Sequence, residues 1–123
     1  VAVAAHGAIA VRRDVIDAMR VGKTCADVHN ACQKVIDRDG YTGSYRKRTG
    51  YSIGISFSPD WGEGNILGLN HDVHVPLEPG MVFHVPVALR EWGKFTVAVS
   101  ETLLVTDAAA RPFGKLPRGM LRV

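Results

Sequence analysis

The stretch PGMVFHVPVALREWGKFTVAVSETLLVT, residues 79–106, reads as a turn, an apolar strand from Met81 to Leu89, a short loop through Trp92 and Gly93, and a second strand from Lys94 to Thr106. Successive side chains of a strand alternate between its two faces. The second strand therefore sets Phe95, Val97, Val99, Glu101, Leu103 and Val105 on one face, and Thr96, Ala98, Ser100, Thr102, Leu104 and Thr106 on the other. Glu101 is the single charge on the apolar face. A carboxylate turned toward a core has to be paired, hydrogen-bonded, protonated or metal-bound, because burying it bare is costly. Glu101 is accordingly a candidate site residue, with hydrogen bonding to backbone or pairing with an Arg as the competing structural reading. On the first strand His84 and Pro86, two apart, share a face. Pro86 cannot donate to a ladder, which implies an edge position, a bulge or a strand beside a pocket. If that face is the one Glu101 looks toward, His84 and Glu101 make the best acid–base pair in the chain.

Upstream of this hairpin the spacing predicts two helices. From Ala5 to Val21 the apolar Ile9, Ile16 and Met19, with Ala and Val between, recur at helical intervals, while Arg12, Arg13, Asp14, Asp17 and Arg20 occupy the other face, and Gly22 ends the pattern. Thr24 then offers an N-cap with Asp27 three residues on, a carboxylate form of the capping box. Val28, Cys32, Val35 and Ile36 continue as an apolar stripe to Arg38, and Gly40 closes the helix. His6 and His29 sit on these helices with no metal-ligand partner at suitable spacing, so packing or surface roles are expected of them.

Residues 40–50 are polar, basic and glycine-punctuated, hence a loop, and Arg46, Lys47 and Arg48 there could meet an anionic group or simply be solvated. Gly50 to Phe57 reads as a strand whose glycines, Gly50 and Gly54, admit close approach by another chain or a ligand. In the turn Ser58-Pro59-Asp60-Trp61-Gly62-Glu63-Gly64 the indole of Trp61 is a candidate pocket wall beside Asp60 and Glu63. His71, Asp72 and His74 cluster in sequence but supply no clear third and fourth metal ligand. The tail is expected to run extended, packing Phe113, Leu116 and Leu121 on the body.

The 123 residues, 46% of them hydrophobic, suit one domain with one core. A net charge of +3 comes from scattered Lys and Arg, with no basic stripe interleaved with aromatics, so no nucleic-acid partner is expected. No apolar run approaches the roughly 20 residues that cross a bilayer, and no membrane partner is expected. Cys25 and Cys32, seven apart on one helix, are too distant to bridge each other there and read as reduced thiols of a cytoplasmic protein. The opening Val-Ala-Val-Ala-Ala lacks an initiator Met, and the chain is expected to begin inside a longer protein.

Three blocks in order, Arg48-Thr49-Gly50-Tyr51-Ser52-Ile53-Gly54-Ile55, then Leu77-Glu78-Pro79-Gly80-Met81-Val82-Phe83, then Ser100-Glu101-Thr102-Leu103-Leu104-Val105-Thr106, resemble the C-terminal part of the pita-bread hydrolases. That family comprises Xaa-Pro dipeptidases and aminopeptidases, methionine aminopeptidases and creatinase. The Arg-Thr-Gly-Tyr form and the Pro-Asp-Trp-Gly-Glu turn look most like its creatinase-like and ectoine-hydrolase-like branch. The resemblance implies an α+β fold, a partial pita-bread domain with two helices packed on a curved antiparallel sheet, spanning residues 1–123 and lacking the N-terminal part.

It also implies a hydrolase that cleaves a C–N bond, peptide or related amide, in a small substrate. Glu101 and His84 would be its catalytic residues, and Tyr51, Trp61 and Arg48 would contact the substrate. The peptidases of this family hold two metal ions with two Asp, one His and two Glu. By position the last Glu falls on Glu101, the His on Tyr51, a second catalytic His on Ser58 and the other Glu on Pro86, while both Asp would precede Val1. With one retained ligand no metal cofactor is expected, and Mn, Zn or Co would bind only if ligands came from elsewhere. A homodimer is expected, both from the resemblance and from the sheet edge that a half-domain leaves open. The alternative is a non-catalytic fragment serving interaction or oligomerisation.

Overall fold

In the computed structural model, which describes residues 2–45, 48–55, 66–115, 117 and 119, two helices cover one face of a five-stranded antiparallel sheet. The helices are α1 (Ala2–Ala18) and α2 (Cys25–Arg38). The strands are β1 (Gly50–Ser52), β2 (Gly68–Leu69), β3 (Val82–Glu91), β4 (Phe95–Leu104) and β5 (Arg111–Pro112), in the order β2-β1-β3-β4-β5. The fold class expected from the sequence holds.

The central hairpin forms as the alternation requires. Ten consecutive pairs run from Val82 opposite Leu104 to Glu91 opposite Phe95. The connection is Trp92-Gly93-Lys94, with Gly93 at φ 74°, left-handed backbone that glycine adopts without steric cost. Phe83, Val85, Val87 and Leu89 are fully buried against the helices. Pro86 lies on a central strand, yet it breaks no ladder. The Val82 carbonyl accepts from the Ile53 amide on the β1 side, and alternation points the Pro86 nitrogen the same way, beyond the end of β1, which pairs with β3 only at Phe83 and His84. The strand expected over residues 50–57 is therefore short, and its continuation from residue 56 lies outside the described residues.

Helix α1 meets the sheet chiefly through the Ala and Val residues of the expected pattern, with Met19 just beyond its end. Ala4, Ala8, Val11, Val15 and Met19 are buried, and their small side chains let the helix lie close to β3 and β4. Ile9 and Ile16 are half-buried along its flank, and Arg12, assigned to the polar face by periodicity, is 8% exposed. The helix ends at Ala18, a turn before the expected Val21, and Gly22 at φ 85° reverses the chain toward α2.

The start of α2 shows why the capping signal was legible. Thr24 Oγ1 accepts from the Asp27 amide at 3.2 Å, and the Asp27 carboxylate accepts from the Thr24 amide at 2.9 Å. Two further helix-end amides, those of Cys25 and Ala26, donate to the Val75 and Val73 carbonyls, so the loop before β3 is stitched to this helix. Thr24→Ala is expected to lower stability by about 1 kcal/mol, the usual worth of such a cap. Thermal or denaturant unfolding reads this directly, and an unchanged midpoint would show that the Val73 and Val75 carbonyls hold the helix end alone. Both cysteines are buried, free thiols. The tail departs from expectation at Phe113, which is 58% exposed while its amide donates to the Thr102 carbonyl; Leu116 and Leu121 lie outside the described residues. No helix among the described residues is long and apolar enough to cross a membrane.

Candidate functional site

The sheet has one face against the helices and one free of them, and the pairing register decides which residues meet on each. Tyr51 lies opposite His84, and His84 lies opposite Thr102. Residues directly opposite each other share a face, so Tyr51, His84, Thr102 and, with Pro86, Ser100 occupy the helix-free side. The Tyr51 and His84 ring centroids are 5.5 Å apart and tilted by 53°. His84 Nδ1 stands 3.3 Å from Thr102 Oγ1, a contact that orients the imidazole.

Arg48, just before β1, extends over Tyr51 with its guanidinium carbon 5.0 Å from the ring centroid. The arginine stem passes Gly68 of β2 at van der Waals distance, 3.8 Å from where a Cβ would stand. Among the described residues no carboxylate pairs with Arg48. The cation rests on an aromatic face.

Glu101 is elsewhere. It lies opposite Val85, on the helix side of β4, and its Oε1 packs so closely on Gly114 that a Cβ there would be 2.8 Å away. The proposed His84–Glu101 acid–base pair is therefore not formed, since the two residues project from opposite faces of the sheet. The same register bears on the ligand positions drawn from the resemblance. Two carboxylates that share a pair of metal ions must share a face, and the residue opposite Pro86 is Ser100, not Glu101. The alternation Phe83, Val85, Val87, Leu89 already placed His84 on the polar side, and that signal sufficed to separate it from Glu101. Trp61, with Asp60 and Glu63, lies outside the described residues, as do Arg46 and Lys47.

Among the described residues, the donors on the helix-free face do not suit a dinuclear metal centre. An imidazole, a phenol, two hydroxyls and a guanidinium stand there, and divalent ions of this kind need several carboxylate or imidazole ligands each. Among the described residues no three His, Cys, Asp or Glu side chains are grouped to hold a metal ion. His71, Asp72 and His74 are exposed on the loop after β2.

Beneath the Arg48–Tyr51 segment runs a buried polar chain that the sequence did not disclose. Cys32 Sγ is 3.0 Å from the Tyr45 hydroxyl, that hydroxyl donates to Thr49 Oγ1 at 3.2 Å, and Thr49 Oγ1 is 3.0 Å from His29 Nδ1. Thr49 is fully buried and His29 is 5% exposed. Burial pushes the Tyr45 and Cys32 hydrogens toward tighter retention, raising both pKa values. Burial and the nearby His71 ring hold the His29 pKa below the usual histidine value, against the opposing pull of the Leu69 backbone and Asp72. The sequence signal for this chain was only a His flanking an apolar helical stripe, with partners up to 20 residues away.

Residues 5–107 match the model of metallopeptidase family M24. The chain is 32% identical to the ectoine hydrolase of Halomonas elongata over 84% of its own length and 25% of that protein. It is 34% identical to an uncharacterized hydrolase/peptidase of Sinorhizobium fredii over 86% of its own length and 26% of that protein. It thus spans about a quarter of the length of these curated relatives. Among solved structures, a dipeptidase of Pyrococcus horikoshii shares the fold at a TM-score of 0.83 and 24% identity, over 95% of this chain and 32% of that one.

Proposed function

The chain belongs to metallopeptidase family M24, and from that premise we propose that it forms the substrate-contacting part of a hydrolase that cleaves a C–N bond in a small molecule bearing a carboxylate. The observation that carries this reading is the stack of Arg48 on Tyr51 beside His84 on the helix-free face. Ectoine and dipeptides, the compounds in the names of its relatives, each carry a carboxylate together with a C–N bond open to hydrolysis. Arg48 would take the carboxylate and Tyr51 would support the substrate's apolar body. His84 Nε2 would accept the proton that water gives up as it adds to the reacting carbon and pass it to the leaving nitrogen as the C–N bond breaks, while Thr102 holds the ring. Trp61 belongs to the same proposal as a pocket wall. Glu101, on the other face, would act only by holding the Gly114 segment against β4.

The test is steady-state hydrolysis of ectoine and of Xaa-Pro dipeptides by the protein. His84→Gln is expected to lower kcat by about 100-fold or more, the typical worth of a positioned proton donor. Arg48→Met is expected to raise KM by roughly 10- to 100-fold, the loss of one charge-assisted hydrogen bond. Failure of the wild-type protein to turn over any of these substrates would favour the second reading, a non-catalytic interaction surface. The proposal also takes the protein to be a cytoplasmic homodimer, which light scattering in solution would check.

A further inference from the structure

The buried chain from Cys32 to His29 has a direction. Tyr45 donates to Thr49, so the Thr49 proton is free for His29 Nδ1, and the Cys32 thiol in turn donates to Tyr45. With every donor of the chain used, the Cys32 thiol included, Nδ1 is the acceptor, which makes the ring neutral. A proton placed on Nδ1 removes that acceptor. Thr49 would then have to turn back to Tyr45 and Tyr45 to Cys32, leaving the thiol hydrogen without a partner and a charge in an apolar interior.

Thr49 is also the anchor of the segment above it. Its amide donates to the Leu69 carbonyl at 3.2 Å, and it is bonded on one side to Arg48 and on the other to Gly50, the residue before Tyr51. The groups that face His29 are Thr49 from the segment leading to β1, the Leu69 backbone of β2, and His71 and Asp72 from the loop after β2, the His71 ring centroid lying 6.0 Å away; Tyr45 and Cys32 continue the chain beyond Thr49.

We propose that His29 is a positioning residue: neutral, it locks Thr49 and so holds Arg48 and Tyr51 facing His84, and protonated, it releases them. This rests on the reading that Arg48 and Tyr51 line the substrate wall. The depressed folded-state pKa gives the sign of the linkage. Above the unfolded value of about 6.5 neither state binds the proton and the lock is fully present. As pH falls below that value the unfolded state takes the proton first, and the lock is lost as pH passes through the lower folded-state value.

The experiment is a titration of the protein from about pH 8 to about pH 5, followed by NMR on the ring signals of His29 and Tyr51 and the side-chain NH of Arg48. The expected result is a transition in Tyr51 and Arg48 at the His29 midpoint, abolished in His29→Gln, whose amide oxygen keeps an acceptor near Thr49. His71→Ala supplies a second arm that leaves the buried chain intact. It removes the ring that disfavours charge on His29, so the His29 midpoint should rise and the Tyr51 and Arg48 transition should rise with it. Tyr51 and Arg48 signals that ignore the His29 midpoint, or that fail to follow it in His71→Ala, would overturn the proposal. Because the readout needs no turnover, loss of the hydrolase reading and loss of this inference are separately visible.

Discussion

Gly50→Ala is expected to destabilise the protein by about 3 kcal/mol, the upper part of the range for forcing extra volume into a packed interior. A Cβ at this position would stand 2.5 Å from the His84 carbonyl oxygen, 3.0 Å from Leu69 Cδ1 and 3.3 Å from Val85 Cγ2. The nearest atom is backbone on the adjacent strand, so no rotamer change relieves the contact. The only response is for β1 to withdraw from β3. That withdrawal would separate Tyr51 from His84, whose pairing carries the candidate site. Denaturant unfolding should show the lost stability as a lower midpoint, and the Tyr51 ring signals should move with it. A loss below about 1 kcal/mol would mean that β1 can shift at little cost, and the close approach would then not be what specifies glycine here.

Thr49→Val tests the buried chain at its centre. The substitution keeps the side chain's shape and removes the hydroxyl, leaving His29 Nδ1 and the Tyr45 hydroxyl facing a methyl group. A buried polar group stripped of its partner costs roughly 1–3 kcal/mol; His29 Nδ1 loses its partner while the Tyr45 hydroxyl keeps Cys32 Sγ, so a loss of about 2 kcal/mol is expected. Thr49→Ser, which keeps the hydroxyl and loses one methyl group, is expected to cost only about 1 kcal/mol. The ordering of the pair is the decisive result. Equal losses would assign Thr49 to packing and would remove the physical basis of the His29 lock.

Local physics carried much of the fold into the sequence. The capping box at Thr24 and Asp27 depends on residues three apart, and it appears as written. The hairpin depends on alternation and one left-handed glycine, and it too appears, within two residues of the expected strand ends. Helix α1 was less legible because its burial stripe is made of alanine and valine. These residues carry little hydropathy contrast, and Ile9 and Ile16, the large apolar residues of the pattern, lie on a flank that is only half covered.

The candidate site divides along the same line. That Glu101 faces the apolar side of its strand, and that Tyr51 and His84 sit on strands, were properties of each segment by itself. Which of them meet was a property of register, a relation between segments that periodicity does not contain, because a shift of one residue exchanges every partner across a strand pair. Tertiary pairing joined Tyr51, His84 and Thr102 and set Glu101 apart with Gly114. It likewise gathered Cys32, Tyr45, Thr49 and His29 into one hydrogen-bonded chain, where each residue alone reads as an ordinary helix or loop position. The sequence by itself determined the elements, their caps and their apolar faces, since those follow from neighbours a few residues apart. Only the packed sheet decided which polar groups share a face and which are buried together, because that depends on contacts between residues distant in the chain.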